Sequence, residues 1–167
     1  RIIECFIYIG AAFMTGFFPR LMQALTEKKS PVGLIRRSAS FLLLISMLIA
    51  LVNYFAAPFL VKALYGPSFL PSIFVLQTLG CALPLLFLSG LLGHALVAFG
   101  KERLFVLALF LALLPDFFVN MVAIPQWGVK GAILGFWSRE VCLFCVLGTF
   151  YGMVKGGRHT HERGFKF

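Results

Sequence analysis

Acidic residues are scarce in this chain: 6 Asp and Glu stand against 15 Lys and Arg among 167 residues. Charged residues of both signs make up 13%, about half of the ~25% usual in a soluble domain. Cysteine is also sparse, at 4 scattered residues, which excludes a disulfide framework. Apolar/polar alternation over ~10 residues, the signature of a barrel strand, is missing. Runs such as 41–51 and 104–114 are apolar on every face instead.

What is present is apolar. Hydrophobic residues make up 60% of the chain, and the mean hydropathy is +0.96. A soluble domain of this size has too little interior to hide that much apolar surface. The composition excludes a soluble globular enzyme and a disordered tail. It implies an all-α, polytopic membrane helix bundle. The net charge of +9 does not point to nucleic acid, because the basic residues fall between apolar runs rather than gathering on one soluble face.

A bilayer core of ~30 Å needs about 20 mostly apolar residues in a helix. No charged residue occurs over 38–61 or 63–100, only Asp116 interrupts 104–129, and only Arg139 and Glu140 interrupt 131–154. These runs predict five transmembrane helices, at about 2–25, 31–64, 69–99, 102–124 and 129–154. Residues 1–155 then form the bundle and 156–167 a basic tail. Pro31 suits a first helical position after Ser30. Tyr65-Gly66-Pro67 and Pro125-Gln126-Trp127-Gly128 read as breaks. Gly100 reads as a helix-ending glycine. Pro84 and Pro115 fall inside predicted helices and are candidates for kinks.

Charge sets the expected orientation. Arg20, Lys28, Lys29, Arg36, Arg37, Lys101, Arg103, Lys155, Arg158, Arg163 and Lys166 fall on one side of five alternating spans. Only Arg1, Lys62 and Lys130 fall on the other. The positive-inside rule makes the first side cytoplasmic, with the C-terminus inside. The basic, amphipathic connection between the first two spans is expected at the inner leaflet, where anionic lipid attracts it. The chain opens on Arg1 and enters an apolar segment at once. The expectation is the C-terminal part of a larger transporter-like protein. A five-span protein with a trimmed start is the alternative.

Ionisable groups at bilayer depth cost ~2.5–3.5 kcal/mol or more on insertion scales, so they usually face a partner or a watery cavity. Asp116 lies nine residues before Pro125, roughly 13 Å below the outer turn. Arg139 lies eleven residues after Gly128, roughly 16 Å below it. The hairpin is therefore expected to bring Asp116 and Arg139 to similar depth. Gly131 and Gly135 form a close-packing face, with Arg139 the next step along it. If that face meets the preceding helix, Arg139 points toward Asp116, and Asn120 lies one turn away. Glu140 faces about 100° off. One reading is a buried ion pair pinning two helices. The other is a cavity wall in which Arg139 attracts an anion and Asp116 or Glu140 titrates.

Other polar residues give weaker signals. His94, after Gly90 and Gly93, and Asn53 are candidates for hydrogen bonds between helices or for a cavity lining. Cys142 and Cys145 form a CxxC on an apolar helix, where packing is the simpler reading. His159-Thr160-His161 is too short to define a metal site. No nucleophile with a plausible base, carboxylate-rich metal motif or phosphate-cradling loop is evident. No catalytic residue, metal or cofactor is therefore expected.

Three segments together resemble a known family, the polysaccharide or oligosaccharide flippases of the multidrug/oligosaccharidyl-lipid/polysaccharide exporter superfamily. Phe18-Pro19-Arg20-Leu21 is similar to the family's proline-containing end of a span. Leu64-Tyr65-Gly66-Pro67-Ser68-Phe69-Leu70, with Val75-Leu76-Gln77-Thr78-Leu79 and Leu96-Val97-Ala98-Phe99-Gly100-Lys101, resembles its Tyr-Gly turn and the helix after it. Asn120-Met121-Val122-Ala123-Ile124-Pro125-Gln126-Trp127-Gly128-Val129-Lys130-Gly131-Ala132 resembles its N-x-x-x-I-P-x-aromatic-G-x-x-G-A segment, followed by Ser138 and Glu140. The order and spacing of these segments over roughly 10–155 carry the likeness. Lys130, Arg139 and Asp116 depart from the family's usual residues.

The resemblance implies the C-terminal half of a fold of two six-helix halves around a central cavity. It implies translocation of a lipid-linked oligosaccharide across the cytoplasmic membrane by alternating access, with the missing N-terminal half and the bilayer as partners. Arg139 would then meet phosphate, and Asn120 or His94 sugar hydroxyls. An ion-coupled multidrug exporter of the same superfamily is the first alternative. A membrane enzyme of glycan assembly is the second, and an inert membrane fragment the third.

Overall fold

The computed structural model describes residues 2–27 and 31–163, with side chains as far as Lys155. Nearly all of these residues are helical, and no strand occurs among them. The helices are α1 (Ile2–Thr26), α2 (Pro31–Tyr65), α3 (Ser72–Gly80), α4 (Leu83–Ala98), α5 (Glu102–Trp127) and α6 (Val129–Arg163), with a 3-10 turn at Pro67–Phe69. Among the described residues, four helices are long and apolar enough to cross a membrane, and five spans result if α3 and α4 count as one. The chain is a multi-pass, all-α membrane bundle.

The expected third helix is broken. α3 and α4 meet at a bend of 41°, with Cys81 and Ala82 between them. Pro84 has no N–H, so the Gly80 carbonyl loses its helical donor and the chain turns just ahead of the ring. Pro115, by contrast, sits inside an unbroken α5. Two helices also run further than expected. α5 continues through Pro125 to Trp127, and α6 carries helix into the basic tail as far as Arg163.

The turns follow local chemistry. Gly100 has a φ of 67°, and the amide of Lys101 reaches back to the Leu96 carbonyl at 2.9 Å. This is a Schellman close, which needs a left-handed residue after the helix. Gly128 joins α5 to α6 at φ 56° and ψ −125°, a conformation open only to glycine. It folds the last two helices into a tight antiparallel hairpin.

The helices alternate up and down. At one end, Leu21, Leu25 and Leu34 share a cluster with Ala98, Phe99 and Tyr151. At the other end, Ile2, Ile3, Val61 and Leu76 pack together. Exposed Arg20, Arg36, Arg37, Lys101, Arg103 and Lys155 therefore gather at the first end, with Lys62 and Lys130 at the second. Lys28, Lys29 and Ser30 lie outside the described residues. The central core joins α1, α2 and α4 through Met14, Phe17, Leu42, Phe87 and Leu91. Outside it the surface is apolar: Leu44, Phe55 and Phe59 are all more than 70% exposed. In water that would drive aggregation; in hydrocarbon it is the solvated surface.

Candidate functional site

The α5–α6 hairpin carries Asp116, Arg139 and Glu140, and glycine sets its register. Gly131 lies against the backbone of Ala123, and Gly135 against the side chain of Asn120. Nine residues further down α5, the Cys142 thiol approaches the Leu111 carbonyl at 3.8 Å. These pairs place Asp116 level with Ser138 and Arg139. The small-residue face meets the helix before it, the neighbour that the sequence left conditional.

The ion pair is not the one expected. Arg139 does not reach Asp116. Its Nε and Nη2 donate to Oε1 of Glu140 at 3.1 and 2.7 Å, and its guanidinium carbon lies 5.0 Å from the centre of the Phe136 ring. Burial decides the partner. Glu140 is 2% exposed and Arg139 35%, so an unpaired Glu140 carboxylate would cost more than an Asp116 left with an amide. Successive helix positions differ by 100°, but the long arginine chain curls across that angle. Oε2 of Glu140 is buried and has no partner among the described residues.

Asp116 instead accepts a hydrogen bond from Nδ2 of Asn120 at 2.8 Å, one turn along the same helix. Both are half-buried. They line an open groove of ≈ 680 Å³ on α5 with Leu113, Phe117, Met121, Ile124 and Pro125. Oδ1 of Asn120 is buried against α6 without a partner among the described residues.

His94 stands apart from this cluster. Its Nδ1 lies 2.8 Å from the Gly90 carbonyl, and its ring meets Phe18 edge-on at 6.1 Å. It lines a cleft of ≈ 610 Å³ whose wall includes Met14, Phe18, Val97 and Phe105. Asn53 is away from both the groove and the His94 cleft. It is fully buried and donates from Nδ2 to the Leu76 carbonyl at 2.9 Å. Gln77 returns a bond to the Tyr54 carbonyl at 2.9 Å. Asn53 is thus a fastener between α2 and α3, the other of its two expected roles.

No group of three or more His, Cys, Asp or Glu suited to a metal occurs among the described residues. The side chains of His159 and His161 lie outside them. The structure adds two residues that pattern reading passed over. Ser89 is 3% exposed, and its Oγ and the indole Nε1 of Trp137 lack partners among the described residues. A lone serine inside the apolar 83–93 run was the available signal. Comparison with family models, with curated proteins and with solved structures finds no match.

Proposed function

We propose that this chain is part of a membrane transporter that moves a lipid-linked oligosaccharide across the cytoplasmic membrane by alternating access. The observation that carries the reading is the Arg139–Glu140 pair, placed in the middle of α6 and half-open on its arginine side. Charged groups held at that depth usually border a path for polar cargo. The Nε and Nη2 edge of Arg139 is taken by Glu140. The Nη1 edge is left to meet a phosphate oxygen of the lipid carrier. Asp116, on the neighbouring groove, supplies an acceptor for sugar hydroxyls, held in place by the Asn120 amide. The motif order over 10–155 supports the same assignment.

In this reading the C-terminus and the basic helix ends face the cytoplasm. The remaining spans of the transporter supply the opposing wall, since one half of a rocker cannot alternate alone.

Two observations favour a second reading, an ion-coupled exporter of amphipathic organic cations. Glu140 cancels the arginine charge, and the His94 cleft is walled by apolar and aromatic groups.

The two readings separate in proteoliposomes carrying the whole gene product. One population is loaded with a fluorescent polyprenyl-pyrophosphate glycan, the other with an organic cation dye. Glycan translocation that is lost in the Arg139→Gln/Glu140→Gln double variant supports the flippase. Dye movement without glycan movement overturns it in favour of the exporter.

A further inference from the structure

Three polar atoms on α4 and α6 are buried without partners among the described residues: Oγ of Ser89, Nε1 of Trp137 and Oε2 of Glu140. Their positions follow from the packing below them. Leu96 of α4 and Leu147 of α6 share one buried cluster. Close by, Phe99 and Tyr151 stack at 6.1 Å. Both helices start from the same end of the bundle, so they run in parallel. One heptad back from Leu96 is Ser89, and one heptad back from Leu147 is Glu140. A seven-residue step returns to nearly the same face of a helix. Ser89 and Glu140 therefore face each other at one depth. Trp137 precedes Glu140 by three residues, on the same side of α6 and roughly one turn higher.

The three atoms are complementary in kind. The indole N–H only donates, the ionised carboxylate oxygen only accepts, and the serine hydroxyl does both. Each is costly when left unpaired in an interior, because the water it bonded in the unfolded chain has not been replaced. Ser89 and Glu140 do not bond to each other, since neither oxygen has a partner among the described residues. A guest that both donates and accepts, and is small enough for a closed seam, satisfies all three. A bare cation does not fit, because it offers the indole N–H no acceptor and Arg139 already balances Glu140.

We propose that the α4–α6 seam holds a bound water that accepts from Trp137, donates to Oε2 of Glu140 and bridges to Ser89. Two to four polar partners are what an internal water needs. The assignment does not rest on the transport reading. A bundle with any function, or none, would hold it equally.

The test is water-edited solid-state NMR on the full chain in lipid vesicles with 15N-indole tryptophan. The probe is water magnetisation arriving at the Trp137 indole, with Trp127, 58% exposed near the outer turn, as the reference. Early transfer to Trp137 is expected in the wild type and in Glu140→Gln, which keeps an acceptor. A fall of at least threefold is expected in Glu140→Leu and in Ser89→Ala. The milder Ser89→Ala variant decides the matter if Glu140→Leu fails to fold. Transfer to wild-type Trp137 no greater than to lipid-buried amides overturns the proposal. So does transfer that Ser89→Ala leaves unchanged.

Discussion

Gly135 of α6 lies so close to the side chain of Asn120 on α5 that a methyl group would have no space between them. This contact fixes how the last two helices meet. It also holds the Asn120 amide toward Asp116, which it caps at 2.8 Å. In lipid no hydrophobic force draws helices together, so close backbone approach and interhelical polar contacts must do so. Glycine packing and the placement of the polar groups are one feature of this hairpin.

The two glycines of that face should not be equally tolerant. Gly131 meets the Ala123 backbone, whereas Gly135 meets a side chain that can rotate. Gly131→Ala is expected to lower stability by about 1–3 kcal/mol, the usual cost of overpacking. Gly135→Ala should cost less, and pairing it with Asn120→Ala should recover most of the loss. Thermal unfolding in detergent ranks the variants; equal costs for the two glycines would contradict this packing.

Asn53 and Gly80 should behave as a coupled pair. Asn53→Ala removes the bond to Leu76, and interhelical hydrogen bonds in membranes average ~0.6 kcal/mol. Gly80→Ala should cost more by itself, because its added carbon would collide with the Asn53 amide. In the double variant that collision is gone. A double-mutant cycle is expected to show strong non-additivity, and simple addition of the two effects would mean that the side chains do not touch.

Removing one member of the mid-span pair should harm the protein more than removing both. Arg139→Gln strands a carboxylate that is 2% exposed. Leaving a buried charge short of its partner costs roughly 1–3 kcal/mol or more. Arg139→Gln/Glu140→Gln avoids that charge and should sit closer to the wild type. Yield and denaturation temperature in detergent report the order. A double variant less stable than Arg139→Gln would refute it.

Sidedness gives a prediction free of energetics. With Cys5, Cys81, Cys142 and Cys145 replaced by serine, single cysteines at Lys101 and Lys155 should label from the same face of sealed vesicles. Cysteines at Lys62 and Lys130 should label from the opposite face. An impermeant maleimide makes the measurement, and labelling of Lys101 and Lys155 from different faces would break the up-down topology.

The sequence determined the solvent and the spans. Long uncharged runs can be soluble only in hydrocarbon, where a backbone must satisfy its own hydrogen bonds, and that leaves helices. Gly66, Gly100 and Gly128 marked three turns, because each takes a φ that other residues resist. That Gly131 and Gly135 share one close-packing face was legible too, since four-residue spacing defines a single face; that the face meets α5 was decided by the packing. What could not be read was the partner of Arg139. Helical periodicity gives the direction of a Cβ, but a long flexible side chain is free to curl toward whichever charge is most deeply buried. Burial is a property of several helices at once. Only the tertiary packing, which leaves Glu140 2% exposed and Arg139 35%, showed that Glu140 was that charge.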